Sequence, residues 1–257
     1  MSDNTSTEKA FDYLANDGMG GFEQLNTDVI SFPFIRVLQS ISPQCKKSRP
    51  EYIEGATEGM LYNSVNNRLI QPPVDVIVGR FDRSFVEWKK DRGGFVATHS
   101  PEAVADMLAK GSISKADNGK LFREDTLSEF VDTFTYYIVF PDYPEDGVCL
   151  LCLTSSQLKE ARRWNRLMLS TIIPGTSTRA LPYHQRWTIT TPPMSNDKGD
   201  WSGFHVEFAG FVTKAQYQLV SAERQGLPDA SKVDFTNSLA GVVTEAIEAH
   251  SDTIDVF

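Results

Sequence analysis

The sequence predicts a mainly β domain of the α+β class, for which a partly open antiparallel barrel with inserted helices is one good architecture. Several segments rich in β-branched and aromatic residues are bounded by glycine, proline or serine, and two or three helical segments lie between them. The strand-helix alternation of a parallel sheet and internal repeats are both absent. With 257 residues, 40% of them hydrophobic, the chain is long enough to bury a substantial core.

Charge divides the chain into three parts. Residues 1–30 and residues 227–257 each hold six acids and one base, whereas the middle holds 22 acids and 23 bases. The formal charge of -9 therefore belongs to the ends, and blocks of one sign at a terminus are typical of interaction tails. We predict a flexible acidic arm over 1–30, a folded domain over 31–226, and an acidic tail over 227–257 with a short helix and a terminal Phe.

Alternation of apolar and polar residues predicts the strands of the domain. A hairpin is expected around the Asn-Asn pair of "GMLYNSVNNRLI", although Asn-Gly would be a stronger turn signal. A long strand with a glycine bend is expected in "VDVIVGRFDRSFVEWKK". A strand is expected in "FVDTFTYYIVF", which is rich in aromatic and β-branched residues, and a buried strand in "GVCLLCLTS". A strand pair joined by a long polar connection is expected in "HQRWTITTPP" and "GFHVEFAGFVT".

Three segments have helical signals. The first, "PEAVADMLAKG", has proline in its first turn and Gly111 after its last residue. The second, "SSQLKEARRWNRLMLS", begins after two serines, and we expect Ser155 or Ser156 to cap it. The third, "TKAQYQLVSAERQG", closes the domain at Gly226.

Motifs for catalysis or metal binding are not found in the sequence. It contains no P-loop, dinucleotide fingerprint or nucleophile elbow, and its four histidines have no metal-ligand spacing. Cys149 and Cys152 have the spacing of a zinc or redox pair, but on a strand they would face opposite sides. We therefore expect them to be small buried residues, and we expect no cofactor, no metal site and no enzymatic activity.

The compartment follows from the cysteines and from the absence of targeting signals. Three cysteines are few and odd in number, which fits a reducing environment better than a disulfide framework. The N-terminus has no secretory pattern, and no apolar stretch is long enough to span a bilayer. We expect a soluble protein of the cytoplasm.

The second predicted helix carries a stripe of four cations. Lys159, Arg162, Arg163 and Arg166 stand at positions i, i+3, i+4 and i+7, which places them along one line of a helix, with Trp164 beside them. Like charges at this spacing repel one another, and an anionic partner would offset that repulsion. The alternative is a solvated face whose cations meet acids from elsewhere in the fold.

A second basic patch mixes cations with aromatic rings along the long predicted strand. Single-stranded nucleic acid needs both groups, because cations follow the phosphates and rings stack on the exposed bases. The alternative is that the aromatics are core residues, as they usually are in strands. Of the neighbours Tyr136 and Tyr137, at most one is expected to face DNA. The candidate contacts are Arg80, Arg83, Phe85, Trp88, Lys89, Lys90, Arg92 and Tyr137.

The chain ends with "SDTIDVF", in which two carboxylates precede a terminal aromatic ring. Such a peptide can insert Phe257 into an apolar pocket of another protein while a basic rim holds Asp252, Asp255 and the terminal carboxylate. It can also lie over a basic groove of its own chain and compete with DNA. The alternative is a frayed terminus without a role.

These phrases resemble a known group of proteins. The segments "FPFIRVLQSISPQ", "PEYIEGATEGMLYNSVNN", "FVEWKKDRGG" and "LTSSQLKEARRWNRLM" resemble, in wording and order over most of 32–215, a group of tailed-phage single-stranded-DNA-binding proteins. The chain end is similar to the Phe-terminated acidic tails of phage and bacterial single-stranded-DNA-binding proteins. The resemblance implies an oligonucleotide-binding (OB) barrel, no catalysis, and a tail that recruits polymerase, helicase or primase.

Sequence and resemblance together predict a sequence-independent single-stranded-DNA-binding protein that acts in phage DNA replication, recombination and repair. Homo-oligomerisation is left open, and no membrane partner is expected. Two other classes also remain open. One is an interaction protein that mimics DNA and inhibits a host enzyme, and the other is a metal-dependent nucleic-acid enzyme.

Overall fold

A computed structural model describes residues 31–196, 199–224, 227, 233, 235 and 236. From Phe32 onwards these residues belong to one structural unit. Its strands are β1 (Phe34–Val37), β2 (Leu61–Asn63), β3 (Leu69–Ile70), β4 (Val74–Trp88), β5 (Phe95–His99), β6 (Ser114–Lys115), β7 (Leu121–Phe122), β8 (Glu129–Val139), β9 (Cys149–Thr154), β10 (Gln185–Thr190), β11 (Pro193–Asn196), β12 (Gly199–Ser202) and β13 (His205–Phe211). Its α-helices are α1 (Pro101–Ala109), α2 (Leu158–Ser170) and α3 (Lys214–Glu223). Single 3-10 turns occupy Pro43–Cys45, Lys90–Arg92, Pro144–Asp146, Ser155–Gln157 and Pro182–His184.

Most of the strands form one curled sheet with the shape of a half-barrel. The order across it is β13-β10-β4-β8-β9-β1-β2-β3, with β5 paired to β4, β7 to β8 and β6 to β7. The hairpin β11–β12 stands apart from this sheet. The fold is therefore mainly β with a few helices, as the sequence predicts. The sheet is not purely antiparallel, however, because β1 and β9 pair in parallel.

Two long antiparallel strands form the centre of the sheet. The 15-residue β4 pairs with the 11-residue β8 from Ile77↔Val139 to Trp88↔Glu129, and the register shifts between Val78 and Arg80. This β-bulge lies at Gly79, where the sequence predicts a bend. The Gly79 carbonyl accepts a hydrogen bond of 2.9 Å from Arg224 Nε, and a Cβ at Gly79 would lie 3.2 Å from Arg224 Cγ. Glycine therefore lets the arginine approach the bulge.

Both faces of the central sheet are buried. On one face, Val76, Tyr136 and Leu151 pack against α2, which contributes Ala161 and Trp164. The opposite face carries a second cluster, in which Ile77, Tyr137, Val139 and Leu150 pack with Val220 of α3. Burial on two sides explains why β8 and β9 read as nearly continuous apolar runs instead of alternating.

The helices begin at recognisable caps, although the cap of α2 differs from the prediction. Ser100 caps α1, where its side chain accepts from the Ala103 N–H, and Thr213 caps α3. The 3-10 turn that leads into α2 is preceded by Thr154, whose backbone N–H donates to Gln157 Oε1 at 3.3 Å. Ser155 and Ser156 lie inside this turn, so the first cap residue stands one position before the serine pair.

Two residues of the predicted tail pack on the domain. Phe235 is 2% exposed and its ring lies 5.8 Å from that of Phe34, while Val233 is also buried. The predicted arm over 1–30 and nearly all other tail residues lie outside the described part of the chain. In the described part, no helix is both long enough and apolar enough to cross a bilayer.

Candidate nucleic-acid interface

A cleft of about 590 Å³ opens beside β4 and β8, and we call it the first cleft. The β6–β7 hairpin, the end of α1 and the residues that lead into α2 complete its walls. Four cations and two carboxylates line it, so the lining is net positive, and Phe85 and Phe130 supply aromatic surface. Its charged residues are Arg83, Arg92, Lys115, Lys120, Glu129 and Asp132.

The two predicted basic patches meet at Phe134, a ring that does not line the first cleft but is contacted by Arg83, which does. The guanidinium carbon of Arg83 lies 5.7 Å from the centre of the Phe134 ring, and that of Arg162 lies 5.8 Å from the same centre. Arg83 comes from β4 and Arg162 from α2, which are far apart in sequence. The packing of α2 on the sheet therefore joins the strand and helix patches into one surface.

A carboxylate partly compensates Arg83. The Arg83 Nε and Nη2 atoms donate to Asp132 Oδ1 and Oδ2 at 2.9 and 3.0 Å, and these hydrogen bonds raise the pKa of Arg83. The pair is solvent-accessible, since Arg83 keeps 45% of its side-chain surface exposed. A phosphate would have to compete with Asp132 for this guanidinium. Arg162 has no such competitor among the described residues.

Arg80 lies on the opposite face of β4 from Arg83, because residues three apart on a strand point to opposite sides. Beyond the bulge, Arg80 lies over the Tyr137 ring at 4.0 Å, on the second-cluster face of β4, and pairs with Asp82 at 2.8 Å. Arg83 and Phe85 lie on the opposite face, where Arg83 contacts Phe134. The strand patch is therefore split between two faces, and Arg80 is not part of the first cleft.

The remaining strand cations follow β4 in a tight turn. Lys89 and Lys90 are exposed, and the Lys89 N–H donates to the Gly94 carbonyl at 2.9 Å. Arg92 is half-buried, lines the first cleft and lies 4.0 Å from Glu129, and burial lowers the pKa of its guanidinium. The structure thus brings Arg83, Phe85 and Arg92 together, with the two lysines beyond the end of the strand.

Three of the four predicted stacking rings are core residues. Trp88 is 3% exposed, and Tyr137 and Trp164 are 0% exposed. Trp164 stacks on Tyr136 with ring centres 4.3 Å apart and faces the sheet, because it lies on the same side of α2 as Ala161. These rings cannot meet a base in this structure, so the alternative of core aromatics is correct for the strand residues Trp88 and Tyr137, and Trp164 of α2 is a core residue as well. Phe85 alone of the four is accessible from the first cleft.

The cationic stripe of α2 faces solvent, as the helical spacing predicts. Lys159, Arg162, Arg163 and Arg166 are all exposed. Arg163 differs from the others because its Nη1 donates to Glu160 Oε1 at 2.8 Å and to the Val206 carbonyl at 2.9 Å. Among the described residues, the other three have no carboxylate partner. The alternative of a stripe neutralised by neighbouring acids holds for Arg163 only.

Three residues that the sequence patterns did not indicate line clefts of the domain: Lys115, Lys120 and Trp201. Lys115 and Lys120 flank the turn of the β6–β7 hairpin and point to the first cleft. Asn118-Gly119 in that turn is a strong hairpin signal, and Gly119 has a φ of 83°. The sequence could therefore have predicted this hairpin and the two lysines that flank its turn. Trp201 is the accessible tryptophan of the chain, and it stands in the connection that the sequence predicts only as polar.

The side chains of Cys149 and Cys152 lie on opposite faces of β9, as the alternation of a strand predicts. Cys149 belongs to the cluster under α2, whereas Cys152 packs against the opposite cluster, so the two thiols diverge. Burial raises the pKa of each thiol to about 12. In the described part of the chain, no group of three or more His, Cys, Asp or Glu side chains is placed to hold a metal ion. The predicted partner-binding residues Asp252, Asp255 and Phe257 lie outside the described residues.

The sequence matches a described protein family. A family model described as "Pam3 phage gp34-like protein" matches residues 2–226, which is most of the chain. The chain belongs to this family. No curated protein and no solved structure matches it.

Membership of the gp34-like family supports the phage part of the sequence-based expectation. The family description names no activity, so DNA binding and a role in replication stay predictions. The matched region spans the first cleft, the cationic face of α2 and the β11–β12 hairpin. The candidate interface is therefore part of the region that defines the family, whereas the last 31 residues of the chain, from 227, lie beyond it.

Proposed function

We propose that this protein binds single-stranded DNA without sequence preference and without catalysis, in phage DNA replication, recombination and repair. The convergence of Arg83 and Arg162 on Phe134 carries the proposal, because it brings the cations of α2 next to Arg83, which lines the first cleft. A single strand needs such a continuous basic track together with accessible aromatic surface.

The size and chemistry of the first cleft support this ligand. Its volume of about 590 Å³ is in the range of pockets that hold small organic ligands, which corresponds to roughly one or two nucleotides. Phe85 offers a ring for stacking, and Lys115 and Lys120 stand at the rim for phosphates. Contacts of these two kinds do not read base edges, so sequence-independent binding is expected.

An OB-like barrel, which the sequence resemblance implies, stays part of the proposal, but the proposed DNA track differs from that of an OB-fold, which binds oligonucleotides on a sheet face. Both faces of the central strands are covered, so the proposed DNA track does not cross an open sheet face. It runs instead along the first cleft and over the exposed side of α2. Coating a strand in this way would protect it and remove hairpins, and no bond-making step is required.

Fluorescence polarisation of a labelled oligo(dT) at low and moderate salt tests the proposal. We expect binding that weakens with salt, because cations that contact phosphates release counterions. Binding should also be weaker to the matched duplex, whose bases are not exposed. Equal affinity for duplex, or no binding at low salt, would contradict the proposal.

The same assay with and without Mg²⁺ separates the two other classes. Degradation of the oligonucleotide that depends on the metal would identify a nucleic-acid enzyme. A protein that ignores oligonucleotides but captures a host enzyme would instead be an inhibitor that mimics DNA.

The proposed recruitment of replication proteins rests on the sequence of the tail. Deletion of residues 251–257 should leave DNA affinity unchanged or increase it, because the segment is acidic and competes with phosphates. The same deletion should abolish pull-down of the polymerase or helicase of the phage. Loss of DNA binding in the deletion variant would count against this division of roles.

A further inference from the structure

A second cleft, of about 380 Å³, lies on the other side of α2. The first half of α2 supplies its polar wall, and the β11–β12 hairpin with the residues that follow it supplies an apolar wall. Residues at the start of α2 line both clefts: Ser155 and Leu158 face the first, and Ser156 and Lys159 face the second. The helix is therefore a ridge between two neighbouring clefts.

The apolar wall carries an accessible indole ring. Trp201 is half-buried and lines the second cleft, whereas Trp88, Trp164 and Trp187 are 3%, 0% and 0% exposed. Its register partner across the hairpin is Met194, which is 45% exposed and lines the same wall.

Gly203 keeps the methionine in that position, since a Cβ at Gly203 would collide with Met194 Sδ. A ring and a soft, polarizable thioether side by side form a surface suited to a flat aromatic ligand.

The polar wall offers one uncommitted cation. Glu160 accepts from Arg163 Nη1 at 2.8 Å and from the Val206 N–H at 3.0 Å, and it lies 3.2 Å from His205 Nδ1. Together with the Arg163 bond to the Val206 carbonyl, these contacts cover the open edge of β13. Lys159 is exposed and has no ion pair among the described residues, so it is available to an anion.

We infer that the second cleft binds one nucleotide of the same single strand, with its base against Trp201 and Met194 and its phosphate at Lys159. The inference rests on the proposed function and extends it to a second base-binding site. A strand that leaves the first cleft reaches the second by crossing α2, where Arg162 and Arg166 are exposed and have no carboxylate partner among the residues that the structure describes. These two cations lie on the exposed side of α2, the helix that separates the two clefts.

The test combines polarisation of labelled oligo(dT) with intrinsic tryptophan emission. The wild-type protein should bind with quenched emission, and because the other three tryptophans are buried, Trp201→Phe should lose that quenching. Trp201→Ala should weaken binding roughly 5- to 150-fold, the loss expected for one stacked base, whereas Trp201→Phe keeps a ring and should retain most of the affinity. Tyr217→Ala removes an aromatic residue that is 43% exposed and lies outside both cleft linings, so it should bind as the wild type does.

The outcomes distinguish this inference from the proposed function. Wild-type binding without a change in emission, together with unchanged affinity of Trp201→Ala, would overturn the second site and leave single-strand binding standing. Absence of oligonucleotide binding by the wild type would overturn both. Circular dichroism and thermal melts of the variants establish that each one is folded, since a loss of affinity counts only for a folded variant.

Discussion

Arg83 and Arg162 share one aromatic ring, with guanidinium carbons 5.7 and 5.8 Å from the centre of Phe134. Arg83 has a carboxylate partner, Asp132, at 2.9 Å, whereas Arg162 has none in the described part of the chain. Two cations held near the same ring with one counter-charge leave the surface net positive at this point. Removal of the Arg162 charge should therefore weaken the binding of a polyanion, and removal of the Asp132 charge should strengthen it.

Arg162→Ala should weaken oligo(dT) binding and make it less sensitive to salt. Removal of one phosphate contact reduces the slope of log affinity against log salt by about 0.7 for a single strand. Fold stability should change little, because the side chain is exposed. Lys214→Ala is the control, since it removes an exposed cation of α3 outside both cleft linings. Equal slopes for Arg162→Ala and the wild type would show that Arg162 touches no phosphate.

Asp132→Asn should have the opposite effect and strengthen oligo(dT) binding. The substitution removes a negative charge from the first cleft and releases Arg83 from its bidentate pair. The cost to the free energy of unfolding should be no more than about 1 kcal/mol, because the pair is solvent-accessible. Polarisation titrations at two salt concentrations measure the gain. Weaker binding by a folded Asp132→Asn variant would show that the Arg83–Asp132 pair positions the site instead of competing with DNA.

Local sequence patterns predicted most of the elements. The alternation around Gly79 gave the long strand and its bend, and the spacing of Lys159, Arg162 and Arg166 gave the exposed face of α2. These features depend on neighbours within a few residues, which a sequence displays directly. The cap residue is Thr154, one position before the predicted serines, and the Gln157 side chain accepts from its backbone N–H.

The composition of the site depends on contacts that local patterns do not contain. A one-residue bulge at Gly79 reverses the faces of β4, so strict alternation from Val78 would place Arg83 on the wrong face of the sheet, away from Phe134. Trp164 is buried because α2 turns its Ala161 side to the sheet; its helical spacing from Ala161 and Met168 is consistent with this face, although its neighbours in sequence are cations. Trp201 becomes important only through the position of its hairpin against α2.

Trp164→Ala should destabilise the fold by roughly 3–5 kcal/mol, the usual cost of removing a large aromatic residue from a core. Trp164 is fully buried and stacks on Tyr136 at 4.3 Å, so its loss leaves a cavity between α2 and the sheet. Urea denaturation measures the change. Arg166→Ala, on the exposed side of the same helix, should stay within about 0.5 kcal/mol of the wild type. Equal stabilities of the two variants would contradict the assignment of Trp164 to the core.

Glu87→Gln should destabilise the protein at neutral pH by about 1.5–3 kcal/mol, the range for hydrogen bonds that involve a charged group. Glu87 is 4% exposed, and its carboxylate accepts from Ser128 Oγ at 2.6 Å and lies 3.1 Å from Arg123 Nε and 2.8 Å from His99 Nε2. These contacts join β4, β5 and the residues before β8. Burial alone would raise the pKa of Glu87, but the hydrogen bonds from Arg123, Ser128 and His99 outweigh it and lower the pKa.

The sign of that shift sets the pH dependence of the Glu87→Gln effect. A carboxyl group with a lowered pKa in the folded state stabilises the protein fully above its ordinary pKa of about 4.3. That stabilisation is lost as the pH falls through the folded value. The difference in unfolding free energy between wild type and Glu87→Gln should therefore be largest near neutral pH and shrink in acid. Urea titrations across this range measure it, with the exposed Glu51→Gln as control. A difference that stays constant with pH would show that protonated Glu87 supports the fold as well as its carboxylate does.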